Sequence, residues 1–173
     1  MPRNLELKCR IASRAIACET ARALGAQPQG VLVQEDTYFI VPHGRLKLRE
    51  HHPGAAELVV YDRPHQTGDR WSNYERIDVS GTTGLKDALS HALGVACVVR
   101  KKRHLFLTSH ARIHIDEVEG LGTFLEFEVT EEDRVIAEQT MTKLRKTFGL
   151  EGEEGIAGSY SDLIVNSQLT MDY

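Results

Sequence analysis

Cations and carboxylates recur in this sequence at alternate positions, the spacing that puts side chains on one face of a strand. In RLKLRE, Arg45, Lys47 and Arg49 share a face opposite Leu46 and Leu48. In NLELK, Glu6 and Lys8 oppose Leu5 and Leu7. In RIHID, Arg112, His114 and Asp116 oppose Ile113 and Ile115, and Glu126 and Glu128 oppose Leu125, Phe127 and Val129. Arg63 shares a phase with Glu57, Val59 and Tyr61. Like charges two residues apart on a strand sit roughly 7 Å from one another and repel unless something negative lies over them. Two arrangements fit. One is a one-sided sheet with its charged face in water. The other is a closed barrel with the charged face inward, which the strand count permits. The signs are sorted by strand, whereas a merely solvated face mixes them. A charged lumen would need a polyanion for its cations and a metal ion for its carboxylates. A triphosphate with Mg²⁺ or Mn²⁺ supplies both.

The elements that must carry these residues follow from periodicity and punctuation. NLELKCRI reads as a strand, SRAIACETARALG (13–25) as a short helix, and QPQG (27–30) as a turn. VLVQEDTYFIVP is a strand with polar residues in its middle, where a bend is expected. RLKLRE and AELVVYDRP form a hairpin around HHPGA, whose His51 and His52 read as surface residues. RWSNYERIDV, VACVVRKKRHLFLT, ARIHIDEV and TFLEFEVT are further strands, and GLKDALSHALG (84–94) is a helix. EEDRVIAEQTMTKLRKTFG (131–149) is the strongest helix, with acids at its start, cations near its end and a terminal glycine. Its apolar stripe is Ala137, Met141, Leu144 and Phe148. SYSDLIV is a short closing element. Seven or eight strands in hairpin order, with two or three helices, predict an α+β fold with a largely antiparallel sheet.

The 173 residues fit a single domain, 1–173, with an ordinary core. The net charge of −4 does not advertise nucleic-acid binding. RKKRH (100–104) could be a nucleic-acid patch, but it lies inside a strand leading into LFLT. Cys9, Cys18 and Cys97 are odd in number and without CxxC spacing, and read as reduced thiols. No apolar run approaches a membrane span, and MPRNLELK has no signal-peptide core, so a cytoplasmic protein is expected.

Taken in order, the motifs resemble those of the CYTH family (cyclase and thiamine-triphosphatase homology), above all its class IV adenylyl cyclase branch. The family's opening Glu-x-Glu-x-Lys is similar to Asn4-Leu5-Glu6-Leu7-Lys8. Its Leu-Arg-Glu is similar to Leu48-Arg49-Glu50. Its basic strand, acid and Gly-Leu-Gly resemble RKKR and RIHIDEVEGLGTFLEFEV. Thr147-Phe148-Gly149-Leu150 and Ser159-Tyr160 complete the set. The resemblance implies an eight-stranded antiparallel closed β-barrel, a triphosphate tunnel with a charged lumen and helices packed outside. It implies metal-binding carboxylates at Glu6, Asp116 and Glu126, joined by Glu128 on the same face. It implies phosphate-binding cations at Lys8, Arg49, Arg63, Arg103 and Arg112, with Arg45, Lys47 and Lys101 as additions. Lys8, Arg63 and Tyr38 are the catalytic candidates.

The implied activity is metal-dependent conversion of ATP to cyclic AMP and pyrophosphate. The alternatives are hydrolysis of inorganic or organic triphosphates and non-catalytic polyphosphate binding. A small-molecule triphosphate is the implied partner, with no nucleic acid or membrane, and a homodimer is allowed. Two departures stand out. Asn4 replaces the first glutamate of the opening motif. Asp62-Arg63-Pro64 replaces the segment in which triphosphatases carry a lysine that works with a tyrosine on water, and an arginine is a poor base.

Overall fold

The computed structural model describes residues 3–62, 67–130 and 132–169. Eight strands close into one antiparallel barrel: β1 (Arg3–Arg10), β2 (Gln27–Phe39), β3 (Arg45–His51), β4 (Ala56–Asp62), β5 (Arg70–Val79), β6 (Val95–Leu107), β7 (Ala111–Val118) and β8 (Gly122–Val129). Around the barrel they run β1-β5-β4-β3-β2-β6-β7-β8, and β8 pairs back onto β1. Closure leaves no edge strand in the barrel. The four helices are α1 (Arg14–Ala23), α2 (Thr82–Leu93), α3 (Arg134–Thr147) and α4 (Tyr160–Leu169).

The alternation read from sequence places the two faces. Leu5, Leu7, Ile113, Ile115, Leu125, Phe127 and Val129 point outward and are buried beneath α1 and α3. Leu46 and Leu48 of RLKLRE point outward against Leu85, Leu89 and Leu93 of α2. That leaves Lys47 and Arg49 inside. The α3 stripe is as expected: Ala137, Met141 and Leu144 are buried, and the Phe148 ring lies 5.1 Å from that of Phe127. Asp133 caps this helix by accepting from the Val135 and Ile136 amides. Met141 is fully buried, so Met141→Ala should cost roughly 2–5 kcal/mol, read as a lowered thermal midpoint.

Two expectations are corrected, QPQG as a turn and the count of two or three helices. QPQG is not a turn; β2 starts at Gln27 and absorbs a register shift between Pro28 and Val31, where Gly30 takes φ +95°. The closing element is a fourth helix, α4, packed against β6. Tyr160 at its start is buried with Tyr38, Tyr61, Val99 and Phe124, and Leu163, Ile164 and Val165 pack on that cluster. Arg70, 1% exposed, donates to the carbonyls of Ile156 and Gly158 and anchors the segment leading into α4.

Candidate active site in the barrel bore

The bore holds a cavity of about 490 Å³, the size of a small-molecule pocket. Lys47 and Arg49 from β3 and Lys101 and Arg103 from β6 enter it beside Asp36 from β2, which lies between those two strands in the sheet. Arg49 grips Asp36 with two bonds of 2.7 Å; Lys47 donates to Asp36 Oδ2 at 2.9 Å and Lys101 donates to the same oxygen at 2.7 Å. Burial alone would raise the Asp36 carboxyl, but Arg49, Lys101 and Lys47 hold it well below the usual carboxylate range. Burial and the nearby Arg49 push the Lys47 ammonium down to about 8, against the pull of Asp36. Lys47 Nζ also lies 3.4 Å from the Tyr38 hydroxyl, whose pKa is raised above its usual value by burial and by Tyr61 and Asp36.

Elsewhere on the wall, β1, β7 and β8 carry the acids. Glu6 and Lys8 sit in register with Glu128 and Glu126 on the neighbouring strand. Glu126 lies 3.4 Å from Lys8 Nζ and 3.1 Å from Arg103 Nη2, and Glu128 accepts from Arg112 Nε at 2.9 Å. His114 Nδ1 is buried and, among the described residues, lacks a hydrogen-bond partner, at 3.8 Å from Glu126 and 3.7 Å from Glu128. One ligand atom from each of His114, Glu126 and Glu128 falls within 4.8 Å of the others. Two acids and an imidazole at that spacing could hold a divalent ion.

Asp116 faces inward as expected, but its oxygens are engaged. Arg103 holds both, at 2.8 and 2.6 Å, and the Tyr160 hydroxyl donates to Oδ2 at 2.8 Å. Asp116 is wholly buried and sits outside the cavity lining, fixing the arginine's direction. Arg45 likewise lies off the cavity, donating to Asp162 of α4 at 2.8 Å. Lys8, Lys47, Lys101, Arg49, Arg103, Arg112, Tyr38, Glu6, Glu126 and Glu128 all line it. Arg63 lies outside the described residues.

Several lining residues escaped the sequence reading. Gln34 and Asp36, where the sequence suggests a bend, are continuous strand in phase with Tyr38, a placement that parity alone predicts. His51 was read as a surface residue, yet it belongs to β3 and meets Glu57 in the bore wall at 3.0 Å. Tyr160 lies beneath Lys8, whose ammonium is 3.7 Å from the ring centroid. Away from α4 the wall turns partly apolar with Leu32, Leu105 and Leu107.

A family model for the CYTH domain matches residues 2–160. No curated protein matches the sequence. Among solved structures, the PH1012 protein of Pyrococcus horikoshii OT3 superposes with a TM-score of 0.84 at 21% identity, covering 92% of this chain and 98% of that one. A proposed adenylate cyclase from Vibrio parahaemolyticus gives 0.79 at 20% identity, covering 94% and 98%. HpAC1 from Hippeastrum, whose dominant activity is that of a triphosphatase, gives 0.67 at 14% identity, covering 95% and 96%. At these identities the structural likeness speaks for the fold.

Proposed function

The chain belongs to the CYTH domain family, and from that premise we propose that it is a metal-dependent enzyme acting on triphosphates, with cyclisation of ATP as its reaction. The observation that carries the reading is one cavity lined both by Lys47, Arg49, Lys101 and Arg103 and by Glu6, Glu126, Glu128 and His114. The cations would bind the phosphate oxygens and stabilise the departing pyrophosphate through charge-assisted hydrogen bonds. Glu126, Glu128 and His114, with Glu6 alongside, would hold Mg²⁺ or Mn²⁺. Such an ion, when bound, neutralises phosphate charge and lowers the pKa of an attacking hydroxyl. In the cyclisation the ribose 3′-hydroxyl attacks the α-phosphorus, the bond to pyrophosphate breaks, and the hydroxyl proton passes to water or to the departing pyrophosphate. Leu32, Leu105 and Leu107 give the nucleoside an apolar wall to lie against. The bore's enclosure would supply the proximity that an intramolecular attack requires.

Hydrolysis is the second reading, and the Lys47–Tyr38 contact favours it. The lysine absent from the Arg63 segment would on this reading be Lys47 of β3, next to the tyrosine. The HpAC1 relative lends the same support. Product analysis decides between them. Incubation with ATP, thiamine triphosphate or tripolyphosphate and Mg²⁺ or Mn²⁺ should yield cyclic AMP and pyrophosphate from ATP. Orthophosphate from tripolyphosphate without cyclic AMP would establish the hydrolase instead, and tight binding without turnover a binding module.

A pH series adds an independent check. If Lys47 serves as a phosphate-binding cation, affinity should fall as pH rises through about 8, where the ammonium loses its proton. If Lys47 takes the proton of water, kcat should instead rise through that range, because the neutral amine is the base.

A further inference from the structure

Asp36 has no place in the reaction as proposed, yet it is held by three cations of the bore at once. It is 1% exposed, and it touches three of the four cations on its side of the wall. Its two oxygens are unequally loaded. Among the described residues, Oδ1 accepts only from Arg49 Nε, while Oδ2 accepts from Arg49 Nη2, Lys47 and Lys101 together. The guanidinium is a rigid fork matched to both oxygens and is held at both. The two lysines are point charges on flexible stems that share a single oxygen already bonded to the arginine.

We propose that Asp36 is a resident counter-anion that parks Lys47 and Lys101 in the empty bore and yields them to the phosphates of an incoming substrate, while it keeps Arg49 fixed. The inference rests on the triphosphate reading and names a positioning residue for it. A triphosphate carries more charge and more acceptor oxygens than one carboxylate. The lysines can turn to it without breaking the Arg49 fork. In the free protein the same carboxylate relieves the repulsion among Lys47, Arg49 and Lys101, which would otherwise face one another buried and unpaired. Asp36 therefore sets two opposing quantities. It stabilises the empty barrel, and it competes with substrate for two cations.

Asp36→Asn separates those quantities, because it keeps the shape and removes the charge. The thermal midpoint of the free variant should fall. Added tripolyphosphate should raise that midpoint by more than it raises the wild type's, and the dissociation constant for tripolyphosphate should drop at least tenfold. Turnover should fall as well, because Arg49 loses its fixed direction, and Asp36→Glu should restore part of it. A carboxylate with a purely structural role would lower the midpoint and leave the tripolyphosphate response unchanged. A response in Asp36→Asn equal to or smaller than the wild type's overturns the proposal. Should that variant not fold, Lys101→Met decides. Tripolyphosphate binding weakened tenfold or more upholds the exchange, and unchanged binding overturns it. A wild-type protein whose midpoint responds to neither tripolyphosphate nor ATP would instead remove the triphosphate reading beneath it.

Discussion

Glu126→Gln should lower metal-dependent turnover by on the order of 10²–10³-fold and leave the barrel folded. Glu126 is the carboxylate on which the bore's charges converge, reached by Lys8, Arg103 and His114. The amide keeps the side chain's volume and one acceptor oxygen for Arg103, so the packing of Leu125 and Phe127 on the opposite face is undisturbed. What is lost is the negative charge that a divalent ion needs beside His114 and Glu128. Turnover measured against Mg²⁺ and Mn²⁺ concentration, with a melting curve on the same sample, checks both halves. Wild-type turnover that survives EDTA would remove the metal from the reading.

Arg103→Met should cost both activity and stability. Arg103 is 6% exposed, and its guanidinium bridges Asp116 and Glu126. Its loss strands Asp116, which has no exposure and would keep only the Tyr160 hydroxyl. Breaking a buried ion pair from one side costs about 3–5 kcal/mol, because the remaining charge stays buried and uncompensated. For a chain of this length that corresponds to a thermal midpoint lower by on the order of 10 °C. Arg103→Met combined with Asp116→Asn should recover part of the loss, since the stranded charge is then gone. A single variant that melts with the wild type would show that Asp116 is solvated or otherwise paired.

The wall of the barrel was legible because a strand's period is two and one face is buried. RLKLRE, NLELK, RIHID and LEFEV each declare which residues look inward, and the sorting of signs argued for closure. The site was less legible for two physical reasons. A contact between strands depends on register, which no single strand displays. Lys47 and Tyr38 face each other only because β2 and β3 pair with that offset. The other reason is that polar residues inside a strand imitate a bend. Gln34 and Asp36 sit among Glu35 and Thr37, so the run QEDT lacks the apolar partners that made RLKLRE stand out. His51 suffered likewise from standing next to His52 and Pro53. Asp116 faces the way its alternation predicted, but whether a carboxylate is available to a ligand or spoken for by an arginine is a matter of side-chain geometry.

The cluster beneath α4 crowds one end of the barrel's interior with aromatic rings, three of which also line the cavity. Were those rings to close their end of the bore, traffic would pass the end lined by Leu105 and Leu107. Whatever is held deepest must then wait for whatever lies above it. In the cyclisation proposed here, a substrate that enters phosphates-first leaves in reverse order, with the cyclic nucleotide out before the pyrophosphate. The rate of turnover would then be set as much by how readily Lys47, Lys101 and Arg103 release their last anion as by the bond-making step.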